Sequence, residues 1–238
     1  MTNSAVSTSL SDRLAELGDI APDRVRNVPP IGSATIQDLI HANDHKRPLC
    51  ELIDQSLVEK TMGFESSVVA ATIARILGNF IFQRRLGLVS GADGMFQLLS
   101  TSVRGPDVAF VSTARLPDGK FPRDAYPAIA PDLAVEVLSP GNTKGEMSRK
   151  RIEYFHSGVR LVWMVDCANR TVAVYTSPSA VTILDEEATI DGGDVLSGFT
   201  ASIADFFADL DLGGEILDTK QDTLPSVGSE SQAAGEGV

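Results

Sequence analysis

The run Asp132–Leu138 (Asp-Leu-Ala-Val-Glu-Val-Leu) constrains the fold most, because it joins strand-forming residues to one acidic position. Alternate residues of a β-strand share a face, so Ala134, Glu136 and Leu138 lie on one side and three apolar residues on the other. Both faces are apolar except at Glu136, which predicts an interior, largely buried strand. A buried carboxylate is costly unless it is paired or binds a cation. The alternative is a strand with one solvated face, on which Glu136 is exposed.

The patterns around this strand predict a mixed β-sheet flanked by helices. The apolar face of residues 65–85 is typical of a long helix, and a capping box at Thr143 and Glu146 starts a helix from Lys144 to about Ser157. A hairpin around Asp54-Gln55 is predicted within residues 49–59. Further strands are predicted at 88–90, 95–100, 107–112, 161–166 and 171–176. This order is not a repeated βαβ array, so the predicted fold class is α/β (α+β) with a mixed sheet.

The chain divides into three parts on sequence grounds: an N-terminal extension (1–46), a globular domain (47–210) and an acidic tail (211–238). In the extension, Ser11 is predicted to cap a short helix through Leu17, and Thr35 with Asp38 approximates a capping box for a second helix, from Thr35 to Ala42. The tail is rich in Ser, Gly and Glu and poor in apolar residues, which predicts disorder.

The net charge of −12 makes the chain a poor nonspecific binder of nucleic acid. However, the tail carries −5 and residues 1–30 carry −1, so residues 31–210 carry only −6. A nucleic-acid partner is therefore not excluded. No apolar run reaches the roughly 18 residues of a membrane helix, and the N-terminus lacks a secretory pattern. The two distant cysteines, Cys50 and Cys167, predict neither a disulfide nor a zinc site, and a reduced, cytoplasmic setting is expected.

Asp107 is a second candidate, because Gly105-Pro106-Asp107 leads directly into the predicted strand that begins at Val108. Two carboxylates on adjacent strands can hold a hard divalent cation, and Mg²⁺ typically takes one or two protein carboxylates. Taken alone, the same motif is also typical of a turn in which Asp serves turn chemistry.

Lys150 is a third candidate and has two interpretations. It lies four residues after Glu146 on one helical face, with Tyr154 one turn further on. The pair Glu146 and Lys150 fits an exposed Glu-to-Lys pair in its favourable orientation. Alternatively, Lys150 points at the strand end just before its helix.

In their order and spacing, these motifs resemble the Uma-type (Uma-two) family of restriction endonucleases, within the PD-(D/E)XK nuclease superfamily. The resemblance spans roughly residues 47–207. It is carried by Glu51–Asp54, Leu57–Gly63, Arg104–Val111, Ala130–Pro140, Asn142–Thr143, Glu146, Lys150, Tyr154 and Gly158–Asp166. It implies a restriction-endonuclease-like core and metal-dependent hydrolysis of a nucleic-acid phosphodiester, with DNA as the expected substrate.

The resemblance also assigns roles to residues. Asp107 and Glu136 would bind Mg²⁺ or Mn²⁺, together with the backbone carbonyl of Val137. The usual lysine two residues after the acid falls at Leu138, which cannot serve, and in this family its place is taken on the following helix by Lys150.

Two further positions match the family less well: one has a second interpretation, and the other carries a different residue. The superfamily glutamate on the first core helix falls at Glu65, which equally fits a helix-start carboxylate stabilised by the macrodipole. Gln55 stands where the family usually has Gly in the hairpin.

Other polar residues give weaker signals. His41, His45 and His156 lack metal-ligand spacing, and neither Ser139 nor Cys50 has an obvious histidine partner for triad catalysis. Asp93 lies in a predicted turn, where it serves the turn itself or assists the residues of the site.

A noncatalytic binding or accessory module that keeps the nuclease fold stays an alternative, as does a purely structural protein with an exposed Glu136. The substrate could be DNA or RNA. A homodimer would fit the resemblance, because many nucleases of the superfamily pair up to cut two strands.

Overall fold

The computed structural model describes residues 9–45 and 48–212 of the chain. Its helices are α1 (Leu10–Glu16), α2 (Ile36–His45), α3 (Phe64–Arg84), α4 (Lys144–His156) and α5 (Ile203–Phe207). Its strands are β1 (Cys50–Ile53), β2 (Ser56–Glu59), β3 (Gly87–Gly91), β4 (Phe96–Leu99), β5 (Ser102–Arg104), β6 (Val108–Ser112), β7 (Leu133–Val137), β8 (Leu161–Asp166), β9 (Thr171–Tyr175), β10 (Val181–Leu184), β11 (Thr189–Gly192) and β12 (Leu196–Ser202). The tail predicted to be disordered lies outside the described residues, apart from Asp211 and Leu212.

The main sheet has six strands in the order β10-β9-β8-β7-β6-β3. The β7–β8 pair is parallel and the other pairs are antiparallel, which confirms the predicted mixed sheet. β7 lies in the interior of the sheet, and all five of its residues are buried. This strand is therefore covered on both faces, as its apolar composition predicts.

Helices cover the two faces of the main sheet with different partners. On one face, α3, α5 and the β11–β12 hairpin pack against alternate residues of β6, β7 and β8, and Trp163 lies about 6 Å from the rings of both Phe199 and Phe206. On the other face, α4 packs through Met147 and Tyr154 against Ala134 and its neighbours on β8. Because Glu136 shares its face of β7 with Ala134, its side chain points toward α4.

A second sheet, with strand order β2-β1-β5-β4, carries the N-terminal segment. Leu17, Ile20 and Val25 are buried against Ile53 and Val58 of the first hairpin. α2 buries Leu39 and Ala42 in another apolar cluster on the same sheet. The described part of the predicted extension therefore packs on the domain through apolar side chains.

Several local predictions needed correction. The cap of α1 is Ser9, which forms a capping box with Asp12, and Ser11 lies inside the helix. The sequence patterns missed β5, β10, β11, β12 and α5. In contrast, the Asp54-Gln55 hairpin is confirmed, with φ values of 43° and 57° at the two turn residues. Such left-handed pairs match the twist of two-residue hairpins.

α3 is long and apolar enough, by length and composition alone, to cross a membrane, contrary to the expectation that no segment qualifies. In the structure, Val69, Ile73, Leu77 and Ile81 of α3 are buried against the main sheet. Apolar content of this kind is also what a helix needs to cover a sheet. The packing of α3 therefore accounts for its composition.

We expect Gly18→Ala to destabilise the fold, because Gly18 holds the N-terminal segment against the start of α4. Its φ is 98°, and an added Cβ would lie 2.5 Å from the backbone nitrogen of Glu146. Strain and overlap together are expected to lower the free energy of unfolding by about 2 kcal/mol or more. Gly78→Ala on α3 is the control, since its Cβ would meet no atom within 4 Å. Urea unfolding that finds both variants equally stable would contradict this assignment.

Candidate active site

Asp107 and Glu136 lie beside each other on neighbouring strands of the main sheet. Asp107 immediately precedes β6, and Val108 pairs with Val135 of β7. The Oδ2 atom of Asp107 accepts a hydrogen bond of 2.9 Å from the backbone nitrogen of Val137. This bond fixes the Asp107 carboxylate next to the end of β7 that carries Glu136. The turn interpretation of Asp107 therefore does not describe its whole role.

Glu136 is 4% exposed, so the interpretation that it lies on a solvated face is wrong. Its Oε2 atom is 2.8 Å from Nζ of Lys150, and its Oε1 atom accepts a hydrogen bond from the hydroxyl of Tyr154. Burial raises the pKa of Glu136, Lys150 opposes that shift, and the nearby Asp107 charge adds to it. Together these effects raise the pKa of Glu136 to about 7.

Lys150 is buried, and its ammonium group lies between two carboxylates. Besides Glu136, it contacts Oε1 of Glu51 at 3.1 Å. The interpretation of Glu146 and Lys150 as an exposed pair is wrong, because both are buried and each has another partner. Burial lowers the pKa of Lys150, but Glu136 and Glu51 outweigh burial and raise it above its usual range. Lys150 is therefore a cation at neutral pH.

Glu51 on β1 belongs to this cluster, although no role was predicted for it. Its carboxylate accepts hydrogen bonds from the backbone nitrogen of Gly105 at 2.9 Å and from Arg104 at 3.0 Å. Burial raises its pKa, but Lys150 and Arg104 more than compensate and lower it to about 2. The signal was a carboxylate inside a short apolar strand, which is the same signal that identified Glu136.

Arg104 connects this cluster to the far end of α4. It is fully buried, and its Nε atom donates a 2.7 Å hydrogen bond to Glu153. Burial lowers the pKa of Arg104, but Glu153 and Glu51 raise it above its usual range. Arg104 therefore stays charged and joins β5 to both β1 and α4.

Lys60, just after β2, reaches the same site and was also missed by the sequence patterns. Its Nζ atom donates hydrogen bonds to the carbonyl oxygens of Gly105 (2.6 Å) and Ala92 (3.1 Å). It also lies 3.4 Å from Oδ1 of Asp107. Lys60 thus holds the loop before β6 and neutralises part of the Asp107 charge.

Glu146 is engaged by Arg24 from the N-terminal segment, at 2.7 Å and 2.9 Å to its two oxygens. Arg24 also donates to the carbonyl oxygens of Glu59 and Gly141. These bonds hold the first turn of α4 and the loop before it. Arg24 lay in the segment treated as an extension, so sequence reasoning did not find it.

The remaining candidates lie elsewhere or have lesser roles. Glu65 is exposed on the first turn of α3 and does not line the cavity that holds Glu136, although its neighbours Phe64 and Ser66 do. Its charge instead acts on Cys167, whose pKa is raised to about 11 by burial and by Glu65. Cys50 and Cys167 are buried free thiols. Asp93 lies in the wall of the cavity that holds the site.

One cavity of about 640 Å³ contains the site. Asp107, Glu136 and Lys150 line it together with Glu51 and Lys60. Within residues 9–45 and 48–212, no group of three or more His, Cys, Asp or Glu side chains is arranged to hold a metal ion. Metal binding at this cavity would therefore depend on a pair of carboxylates, supplemented by backbone or water oxygens.

Comparison with known proteins identifies a matching family and a matching fold. A family model described as "Uma2: Putative restriction endonuclease" matches residues 36–204. A crystal structure of a "putative nuclease belonging to DUF820" from Anabaena variabilis ATCC 29413 matches with a TM-score of 0.63 and 20% sequence identity. The match covers 73% of this chain and 97% of that one, and at this identity it shows the fold alone. No curated protein matches the chain.

We expect Glu136→Gln to change how stability depends on pH. The folded state raises the pKa of Glu136 from 4.5 to about 7 and so binds its proton more tightly than the unfolded chain. The stabilising contribution is complete below pH 4.5 and is lost as the pH rises through 7, by at most ~3 kcal/mol. Urea unfolding across this range should show the wild type losing stability relative to Glu136→Gln. Parallel curves would contradict the shift, and Glu65→Gln, with an exposed carboxylate, is the control.

We expect Arg24→Met to destabilise the protein strongly, by about 3–5 kcal/mol, because it leaves the buried carboxylate of Glu146 unpaired. The double variant Arg24→Met/Glu146→Gln removes both charges, and Gln can still accept at the capping box. It is expected to recover most of the loss in urea unfolding. Equal stability of the single and double variants would show that the ion pair is not the reason for the effect.

Proposed function

The chain belongs to the Uma2 family of putative restriction endonucleases, and from this premise we propose that it hydrolyses DNA phosphodiester bonds with Mg²⁺ or Mn²⁺. The observation that carries the proposal is the cluster of Asp107, Glu136 and Lys150 in one cavity. A buried lysine between carboxylates, beside a cavity, is an arrangement that marks candidates for catalytic sites. The alternating charges suit a reaction in which negative charge develops on a phosphate.

The donor set fits a divalent cation. The Asp107 charge contributes to raising the pKa of Glu136, so the two carboxylates are close enough to repel each other. A cation between them would relieve this repulsion, and hard oxygen donors are what Mg²⁺ prefers. Asp107, Glu136 and the Val137 carbonyl would hold it. When bound, such a cation polarises the phosphate and lowers the pKa of a water molecule.

Side chains of the protein would stabilise the negative charge on the phosphate and position the reacting groups. Lys150 is cationic, so it would stabilise negative charge on the phosphate instead of taking a proton from water. Glu51 and Glu136 hold its ammonium group in place from two sides. Tyr154 fixes the orientation of the Glu136 carboxyl through its hydroxyl. Positioning of this kind keeps reacting groups in a productive geometry.

Cleavage of supercoiled plasmid and of single-stranded DNA, with Mg²⁺, Mn²⁺ or EDTA, tests the proposal. We expect Asp107→Asn, Glu136→Gln and Lys150→Met each to lower the rate by about 100-fold or more, since each removes a charge that acts in the transition state. Glu65→Gln is the matched control, because it changes an exposed carboxylate that does not line the cavity. Circular dichroism and thermal unfolding would confirm that each variant folds. Unchanged cleavage in all three site variants would contradict the assignment.

A noncatalytic binding module is the second candidate, and one observation favours it. Both carboxylate oxygens of Glu136 already accept hydrogen bonds from side chains. Calorimetric titration with Mn²⁺ separates the two functions. Binding that is lost in Glu136→Gln favours the nuclease, and absence of binding and of cleavage favours the module.

A further inference from the structure

Two large apolar side chains stand exposed at the edge of the cavity. Met62 is 72% exposed and Phe64 is 88% exposed, and both line the cavity that holds Glu136. Single exposed apolar residues are common on protein surfaces. Two that flank the same cavity as a cluster of buried charges are better explained by contact with a ligand.

The wall beside this edge is formed by one face of α3. Ser67, Ala70, Ala71 and Ala74 line the cavity, and their small side chains leave the wall smooth. These positions fall within eight residues, and the first and last are about 10 Å apart along the helix. The wall therefore offers an apolar surface that leads from Phe64 along the cavity.

The charges of the cavity do not by themselves attract a phosphate backbone. The cations that line it, Arg24, Lys60 and Lys150, are each paired with a carboxylate. The acidic residues outnumber them: Glu51, Asp93, Asp107, Glu136 and Glu146. Duplex DNA binds nonspecific proteins mainly through many phosphate contacts to free lysines and arginines. Affinity for a nucleic acid at this cavity must therefore come largely from uncharged contacts.

Base stacking supplies such contacts. Every nucleobase has a π-face, so an exposed aromatic side chain binds unpaired bases without regard to sequence. In a duplex the bases are already stacked on one another and present only their edges in the grooves. An exposed ring beside the site thus selects for strands with unpaired bases.

The size of the cavity agrees with this selection. Cavities of about 300–1,000 Å³ enclose ligands the size of a drug molecule, and this one has about 640 Å³. One or two nucleotides of a single strand fit such a volume.

We propose that Phe64, with Met62 beside it, stacks on an unpaired base of single-stranded DNA whose adjacent phosphodiester lies at Asp107 and Glu136. This inference rests on the proposed nuclease function and adds the class of substrate. Phe64 is a binding residue in this assignment, because it contacts the base and not the reacting phosphate.

The test uses fluorescence anisotropy with the full chain carrying Glu136→Gln, so that binding is measured without cleavage. The probes are a short labelled DNA strand, its duplex and an RNA strand of the same sequence. We expect the DNA strand to bind more tightly than the duplex. Phe64→Ala is expected to weaken single-strand binding by about 5- to 100-fold, and Phe64→Trp to preserve it. Wild type in EDTA repeats the measurement if Glu136→Gln does not fold.

Phe82→Ala is the matched control, because Phe82 is 84% exposed near the other end of α3 and does not line this cavity. It is expected to leave binding unchanged. Equal loss in Phe64→Ala and Phe82→Ala, or no loss in either, would overturn the inference. Preference for the duplex or for RNA would overturn the assignment to single-stranded DNA. A change of oligomeric state in Phe64→Ala, measured by light scattering, would show that Phe64 contacts a second copy of the chain instead.

Cleavage separates this inference from the proposed function. If Phe64 binds the substrate base, Phe64→Ala raises KM for single-stranded DNA and leaves kcat nearly unchanged. Cleavage that depends on Glu136 but is indifferent to Phe64 would remove the stacking role and keep the nuclease. If no nucleic acid is cut under any metal condition, the proposed function itself fails.

Discussion

The burial of Glu136 is the constraint on which the rest of the structure depends. β7 is covered on both faces, so the carboxyl group must find its partners inside the protein. Lys150 and Tyr154 supply them from positions four residues apart on α4, which places both on one face of that helix. This requirement fixes how α4 is rotated and where it sits on the sheet. A shift of one residue would turn the lysine away and leave a buried charge unpaired.

From Lys150 the charges alternate outward through Glu51, Arg104 and Glu153. The series starts on α4, crosses to the second sheet and returns to α4, so it joins elements that the apolar clusters leave separate. Buried ion pairs add little net stability, because desolvation offsets their attraction, but breaking one is strongly destabilising. The series therefore acts chiefly by excluding other relative positions of the two sheets. The geometry of the site and the packing of the domain depend on the same bonds.

Local patterns made Glu136 a candidate, while they left Asp107 and Lys150 with two interpretations each until the family resemblance assigned them roles; the structure brings all three side chains to one cavity. The same patterns do not show which residues pair with each other in the folded protein. Arg24 and Glu146 are 122 residues apart, and nothing local in either segment indicates the other. Glu51 lies on a strand of four residues, too short for its alternation to stand out.

The missed strands have a related cause. β10 is at the edge of the main sheet and three of its four residues are exposed, so it lacks the alternation of buried and exposed positions that marks a half-buried strand. Trp163 is fully buried, but its covering rings, Phe199 and Phe206, come from elements that only the tertiary structure defines. Glu65 illustrates the opposite case: its helix-start position is confirmed, yet it does not line the cavity and its charge acts on Cys167.

If the proposed function is right, a proton and a divalent cation compete for the carboxylate of Glu136, and the charge of the site determines why one of them must bind. When Glu136 is ionised, the cavity is lined by more carboxylates (Glu51, Asp93, Asp107, Glu136 and Glu146) than cations (Arg24, Lys60 and Lys150), so its lining is negative. An approaching phosphodiester would then be repelled. Either a proton or a divalent cation removes this excess, and the two compete for the same carboxylate. Because burial and the Asp107 charge raise the pKa of Glu136, the proton competes at a higher pH than it would at an ordinary carboxyl group. Rising pH therefore favours the cation, which can also polarise a phosphate.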